Sequence, residues 1–116
     1  MQMQDLQNLV VKTLEDGKAV DVTAIDVRKL TSIADAFVIC TATSTRHAKS
    51  LADKVTIAAK AAGVMPLSVE GDSAAEWILV DLQDIIIHIL LAEQRAFYQL
   101  EKLWSTAEAM RQHSAS

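Results

Sequence analysis

Apolar residues recur along the chain with two spacings, one typical of helices and the other of strands. Near the N-terminus they fall at positions i, i+3, i+4 and i+7, which predicts an amphipathic helix from about Met3 to Asp16. Gly17 would end this helix in the left-handed conformation. A second helical stripe, rich in alanine, begins after Ser44, a favourable N-cap, and stops before Gly63. A third helical pattern runs from Ala92 to Trp104.

Strand patterns fill the intervals between these helices. The second strand pattern, Ala36–Ala42, is almost wholly apolar and predicts a central strand buried on both faces. The first, Asp21–Val27, mixes apolar with polar residues, as edge strands do. A four-residue link between the last two strands predicts an antiparallel hairpin. The alanine-rich helix is long enough for a right-handed parallel crossover between the second and third strands. The fold class is therefore α/β, a single domain with a mixed sheet of about five strands and helices packed against it. The predicted strands are Asp21–Val27, Ala36–Ala42, Leu67–Glu70, Trp77–Val80 and Ile85–Leu91.

Length and composition set the class of protein. With 116 residues the chain has room for one domain, which we expect to cover residues 1–104, while the polar residues 105–116 should fray. Hydrophobic residues make up 51% and charged residues 22%, which excludes a disordered chain. The start of the chain lacks the pattern of a secretory signal, and no apolar run is long enough to span a membrane. Cys40 is the single cysteine, so no intrachain disulfide forms, and we expect a cytoplasmic protein.

Net charge narrows the choice of partner. Lys and Arg number 11 against 15 Asp and Glu, which gives a formal net charge of −4. Proteins that grip nucleic acid through its phosphates are normally basic, because their affinity comes from cations that displace counterions. The balance therefore predicts little or no direct nucleic-acid binding and favours a basic protein partner.

Candidate catalytic and metal-binding residues are few. Cys40 lies in an apolar strand, where a thiol stays protonated and packs as a small hydrophobic group. The segment Thr41–His47 enters a helix N-terminus, but without glycines it is better suited to helix capping than to phosphate binding. His88 with Asp81 and Asp84 could be imagined as metal ligands, yet no second His or Cys has ligand spacing beside them. The sequence therefore predicts no catalytic residues, no metal and no cofactor.

Acidic residues cluster around Trp77 instead. We interpret them as one acidic rim at an end of the sheet, surrounding Trp77 and Leu82 as apolar anchors. Such a mix is typical of a protein-binding patch, although Trp77 as a simple core residue is the alternative. The acidic residues are Glu70, Asp72, Glu76, Asp81 and Asp84.

A series of motifs resembles one protein family over nearly the whole chain. The segment 32–41, Ser-Ile-Ala-Asp-Ala-Phe-Val-Ile-Cys-Thr, is followed by Ser44-x-Arg46-His47 and then by Glu70-Gly71. Next come residues 77–81, Trp-Ile-Leu-Val-Asp, residues 84–88, Asp-Ile-Ile-Ile-His, and a C-terminal Leu-Glu-x-Leu-Trp over residues 100–104. In order and spacing the chain resembles the ribosomal silencing factors, the RsfS or Iojap-like family.

The resemblance implies a non-catalytic translational repressor with a nucleotidyltransferase-like fold that lacks the catalytic carboxylates. Members of the family bind the fourteenth large-subunit ribosomal protein on the intersubunit face and stop the small subunit from joining when nutrients are scarce. On this chain Trp77, Leu82 and Tyr98 would supply apolar contact, and Phe37 and Trp104 would belong to the core. The other partner-binding residues that the resemblance implies are Glu70, Asp81, Asp84 and His88, the three acids facing Arg and Lys of the ribosomal protein.

Four residues depart from the pattern of the family that the chain resembles. The family usually has an aromatic residue at Ala36 and Leu90 and glycine at Ala42 and Gln83, so the geometry of the turn before Asp84 is in question.

A nucleotidyltransferase-fold enzyme or nucleotide-binding protein is the alternative function, supported only by fold analogy and scattered carboxylates. A homodimer of the free protein, formed through an apolar strand patch, would hide the partner surface.

Overall fold

A computed structural model of the chain describes residues 2–29, 32, 34–71 and 73–97. Within these residues the predicted elements are confirmed to within a few residues at each end. The tail 105–116 and the second half of the third predicted helix, with Trp104, lie outside the described residues. No helix in the described ranges has the length and apolar character needed to span a membrane. In chain order the elements are α1 (Met3–Asp16), β1 (Val20–Asp26), β2 (Ala36–Ala42), α2 (Thr45–Ala61), β3 (Ser68–Glu70), β4 (Trp77–Asp81), β5 (Ile85–Leu91) and α3 (Ala92–Phe97).

The five strands form one mixed sheet in the order β1-β2-β5-β4-β3. The β2–β5 pair is parallel, and the other three pairs are antiparallel, including the predicted β4–β5 hairpin. β1 lies at one edge, as predicted, and β3 lies at the other. β3 runs in the same direction as β2, so the connection through α2 is a parallel crossover that passes over β5 and β4.

Helices α1 and α2 cover one face of the sheet, which we call the helix face. The large core cluster there joins buried residues of the two helices, such as Leu14, Leu51 and Val55, to every second residue of the central strands, such as Cys40 and Ile87. The alternate residues of the same strands form a smaller, also buried cluster on the opposite face, which we call the open face only because α1 and α2 do not lie on it. β2 is buried at all seven positions, because it is central and both of its faces are covered, as its apolar sequence predicts.

The end of α1 packs closely against the start of α2. Gly17 has φ −83°, so the prediction of a left-handed glycine was wrong; Lys18 takes the positive φ, at 69°. A Cβ at Gly17 would lie 2.7 Å from Cδ2 of Leu51, so any larger residue here would require the buried Leu51 side chain to shift. The N-cap prediction is confirmed, since the Ser44 hydroxyl accepts a hydrogen bond from the backbone N–H of His47 at 3.0 Å.

Candidate partner-binding face

The register of the sheet brings polar and apolar candidates into one row on the open face. His88 on β5 is paired with Ile39 on β2 and with Leu79 on β4, and Leu79 is paired with Glu70 on β3. Paired residues point to the same side of a sheet, so these four side chains share one face. The family resemblance implied Glu70 and His88 as partner-binding residues, and the register of β3, β4 and β5 places them in the same row.

Trp77 opens β4 and contacts His88 directly. The indole Nε1–H donates a hydrogen bond to Nδ1 of His88 at 3.1 Å, and the two ring centroids are 5.9 Å apart. Phe37 also packs on the imidazole, with its ring centroid 4.8 Å away. Trp77 is half-buried, whereas Phe37 and His88 are fully buried. Trp77 is therefore neither wholly core nor wholly surface: it packs on the open-face cluster and keeps part of its indole exposed.

Burial fixes the protonation state of His88. Because Nδ1 accepts the indole hydrogen bond, the ring proton of the neutral imidazole is on Nε2. Within the described part of the chain, Nε2 is buried and has no hydrogen-bond partner. Burial lowers the pKa of His88 to about 3, since the charged imidazolium would lose its hydration. His88 is thus neutral at physiological pH, a buried imidazole whose Nδ1 accepts the indole N–H.

The turn before Trp77 is tightly built. Gly71 has φ 83°, and a Cβ there would collide with the backbone carbonyl oxygen of Trp77. The backbone N–H of Ala75 donates to the carbonyl of Gly71 at 2.9 Å, and Ala75 is buried with a positive φ of 59°. The Glu70-Gly71 motif therefore has a physical role, because only glycine lets this turn pass so close to the start of β4.

Two of the predicted contact residues, Asp81 and Leu82, are buried at the turn between β4 and β5. Asp81 is 1% exposed, and its carboxylate accepts a hydrogen bond from the backbone N–H of Gln83 at 2.7 Å. Leu82 is 2% exposed and belongs to the helix-face core. The expectation that Asp81 and Leu82 lie on the surface as a partner-facing acid and an apolar anchor was therefore wrong. Asp84 is exposed, in agreement with the prediction.

The acidic residues do not form one rim, contrary to the prediction. Glu76 directly precedes Trp77 at the start of β4, and Glu70 lies beside Leu79 in the middle of that strand, while Asp84 follows its opposite end. Four residue steps along β4 separate the two ends by roughly 13 Å at 3.3 Å per residue. Residues close along a hairpin are separated in space by the length of its strands, so the predicted strand Trp77–Val80 itself argues against a single rim.

The remaining candidates fall in three groups. Tyr98 and Asp72 lie outside the described residues. No three His, Cys, Asp or Glu side chains come together as metal ligands in the described ranges. Ala36 and Leu90, two of the positions that depart from the family, are both buried, so they belong to core packing and not to an exposed surface. Trp77 bonds to His88 and packs on the cluster that includes Phe37 and Leu79.

Comparison with known proteins agrees with this architecture. The family described as "Ribosomal silencing factor during starvation" matches residues 1–116. A ribosomal silencing factor RsfS from Haemophilus influenzae is 41% identical over 100 residues, which cover 86% of this chain and 98% of that protein. The RsfS of Chromobacterium violaceum is 38% identical and covers 90% of this chain and 85% of its own length. A crystal structure of a C. violaceum protein superposes with a TM-score of 0.85 at 37% identity and covers 90% of this chain and 88% of that one. This chain, with its five-stranded mixed sheet and its Trp77–His88 face, belongs to the RsfS/Iojap family of ribosomal silencing factors.

Proposed function

We propose that the protein binds the large ribosomal subunit through its fourteenth ribosomal protein and sterically blocks joining of the small subunit. Repression of translation under nutrient limitation would follow from that block. The observation that carries the proposal is Trp77, a half-buried aromatic residue that a buried histidine holds in place on the face away from α1 and α2. Membership of the ribosomal silencing factor family supplies the ribosome as the partner.

Trp77 has the properties of an interface hot spot. Binding energy in protein interfaces is concentrated in a few aromatic and Arg residues that are well packed and become desolvated on binding. Trp77 is already fixed on one side by the open-face cluster, so little conformational entropy is lost when its exposed part is covered. A partner that covers this indole gains apolar burial at small entropic cost.

Exposed acids beside Trp77 and at the far end of the hairpin favour a basic partner. Glu76 and Asp84 are both exposed, and the chain carries a net charge of −4. A standard interface buries about 800 Å² on each partner, so a single footprint can include both ends of a strand of this length. This charge supports docking on the ribosome through protein rather than through RNA phosphates, in the cytoplasm where ribosomes act.

Sedimentation of purified subunits tests the block directly. We expect excess wild-type protein to leave free subunits where full ribosomes would form, and Trp77→Ala to weaken this effect. An exposed apolar residue on the opposite layer, Ile57 of α2, offers a matched control: Ile57→Ala should act like the wild type. If the wild-type protein in excess leaves full ribosomes forming normally, the proposed function is wrong. Circular-dichroism melts of each variant separate lost contact from lost folding.

The alternative of an enzyme loses support from the positions of the carboxylates. Asp81 is buried and bonded to a backbone N–H, while Glu70 lies beside the middle of β4 and Asp84 beyond its end. We propose that the protein is a binding factor and not a catalyst. Calorimetry with Mg²⁺ and nucleotides tests this, and tight stoichiometric nucleotide binding would contradict it.

We also propose that the free protein forms a homodimer. Exposed apolar side chains lie on both edge strands, Val20 on β1 and Val69 on β3, where a second copy could cover them. Light scattering over a concentration series should show the mass rising towards that of two chains. A constant monomer mass up to high concentration would contradict the dimer.

A further inference from the structure

We propose that His88 is a positioning residue that does not touch the partner but sets the orientation of the Trp77 indole for binding. The proposal rests on the proposed function, because it assigns a role within the same partner-binding face. It differs from the expectation drawn from the family resemblance, in which His88 itself was counted among the contact residues.

An imidazole at this position is costly for the fold. His88 is fully buried in the open-face layer, with apolar cross-strand neighbours, Ile39 on β2 and Leu79 on β4. Its Nε2 finds no acceptor among the described residues, so a buried polar group is left unsatisfied. Such a group destabilises a fold relative to an apolar side chain of similar size. Stability therefore does not explain why a histidine stands in this row.

Within the described residues, the hydrogen bond of the His88 side chain is the one to Trp77. Nδ1 accepts the indole N–H at 3.1 Å, and the imidazole is itself confined by the Phe37 ring at 4.8 Å. The acceptor is thus a rigid, buried atom, while its donor belongs to the half-exposed residue of the face. Because the acceptor is fixed, the indole that donates to it has one favoured rotamer. This removes part of the conformational entropy that binding would otherwise cost.

A substitution of His88 that keeps the side-chain volume but removes the hydrogen-bond acceptor separates a role in stability from a role in orienting Trp77. His88→Leu should raise the midpoint of thermal unfolding, because it removes the unsatisfied Nε2 and fills the row with an apolar side chain. The same variant should allow the Trp77 indole to populate other rotamers, because its N–H loses the acceptor that orients it. A purely structural histidine would give no such opposition between stability and binding.

The orientation of the indole can be measured without the ribosome. In a Trp104→Phe background, which leaves Trp77 as the only tryptophan, the indole N–H resonance should shift and exchange faster with solvent in His88→Leu. His88→Asn, whose amide oxygen can stand near the position of Nδ1, should restore part of the wild-type signal. Ile39→Val changes the packing of the same row without touching the acceptor and should leave the signal unchanged. An indole resonance identical in the wild type and His88→Leu would overturn the proposal.

Binding to purified large subunits then tests the consequence for function. We expect His88→Leu to weaken binding about five- to twentyfold, about 1 to 2 kcal/mol at 1.4 kcal/mol per tenfold change. Trp77→Phe removes the indole N–H, so adding His88→Leu to it should cost little more, which a double-mutant cycle detects as coupling. Additive effects in the cycle, or wild-type affinity in a folded His88→Leu, would overturn the positioning role. If Trp77→Ala binds as the wild type does, the proposed face itself is wrong, which distinguishes the two failures.

Discussion

Gln83 has a φ of 77° in the turn between β4 and β5, a conformation that side chains with a Cβ rarely adopt. The family resemblance led us to expect glycine here, and glycine adopts such a φ without steric cost. The turn keeps its shape because the Gln83 N–H donates to the buried carboxylate of Asp81. The positive φ of Gln83 therefore costs stability locally, while its N–H bonds the turn to Asp81.

Replacing Gln83 by Gly should consequently stabilise the protein. Glycine adopts a positive φ without steric cost, and we expect a gain of about 1 kcal/mol in the free energy of unfolding. Urea denaturation measures this gain. Gln83→Ala is the control, since it shortens the side chain but keeps the Cβ, and should give little of the gain. Equal effects of the two substitutions would show that the side chain, and not φ, sets the cost.

His88 makes stability depend on pH in a specific window. Its pKa is about 3 in the folded protein, because burial disfavours the charged ring, against about 6.5 when unfolded. Between these values only the unfolded chain binds the proton, so the free energy of unfolding falls as the pH is lowered below about 6.5. The slope is about 1.4 kcal/mol per pH unit, which gives roughly 2 kcal/mol between about pH 7.5 and pH 5.

The variant His88→Leu should remove this component. Urea denaturation of both proteins at about pH 7.5 and pH 5 gives the difference directly, and contributions from other titrating groups cancel in the comparison. If the wild type and His88→Leu lose the same free energy between the two pH values, His88 titrates normally and the buried neutral state is wrong.

At the scale of elements, the junction of α1 and α2 depends on His47. Its Nδ1 accepts the backbone N–H of Thr43 at 2.9 Å, so the ring proton is on Nε2, which donates to the carbonyl of Gly17 at 2.8 Å. One imidazole thus satisfies a free N–H before α2 and a free carbonyl after α1. The ring joins the ends of two helices that are 30 residues apart in the chain.

Removal of this ring should destabilise the fold without affecting the partner face. We expect His47→Ala to lower the free energy of unfolding by about 1 to 3 kcal/mol, because two backbone groups lose a partner. Lys49→Ala, an exposed substitution on the same helix, should change it by less than about 0.5 kcal/mol. Denaturant titration compares the two. A loss for His47→Ala no greater than that for Lys49→Ala would contradict the role of the ring.

The elements themselves were predictable from the sequence, and the reason is that their signals are local. Nearly continuous apolar runs identified β2 and β5, helical periodicity identified both long helices, and the short link between β4 and β5 identified the hairpin. The role of His47 was not predictable, because its acceptor at Gly17 comes close only when α1 packs on α2. The sequence predicted Ser44 as a cap because its hydrogen bond is to a backbone N–H only three residues away. It did not predict the His47–Gly17 hydrogen bond because those residues are 30 positions apart.

The candidate site was likewise predicted in part. Trp77 and Asp84 were predicted as contact residues, with a core position left open for Trp77, and the structure leaves both at least partly exposed. Asp81 and Leu82 were misplaced, because the turn folds back: the Asp81 carboxylate turns to the backbone of the turn and Leu82 enters the helix-face core. Polarity and position in a loop predict exposure on average, but they do not say which residues of a turn point inwards.

At the scale of the whole molecule, helix α2 and the β4–β5 hairpin differ in charge. Helix α2 on one side carries four basic residues and one acidic residue, although the chain as a whole is acidic. The acids Glu76 and Asp84 belong instead to the hairpin that holds Trp77. A basic partner is therefore attracted to the hairpin and repelled from α2, so the protein would approach the ribosome in one orientation.

This asymmetry predicts that the position of a charge matters more than the net charge. Asp84→Lys and Asp53→Lys change the net charge of the chain by the same amount, but Asp53 is exposed on α2 and Asp84 at the end of the hairpin. We expect Asp84→Lys to slow association with large subunits by up to about tenfold at low salt and to reduce the dependence of the rate on salt. Asp53→Lys should change both quantities little. Stopped-flow association at several salt concentrations measures the rates, and equal slowing by the two variants would mean that net charge alone steers the encounter.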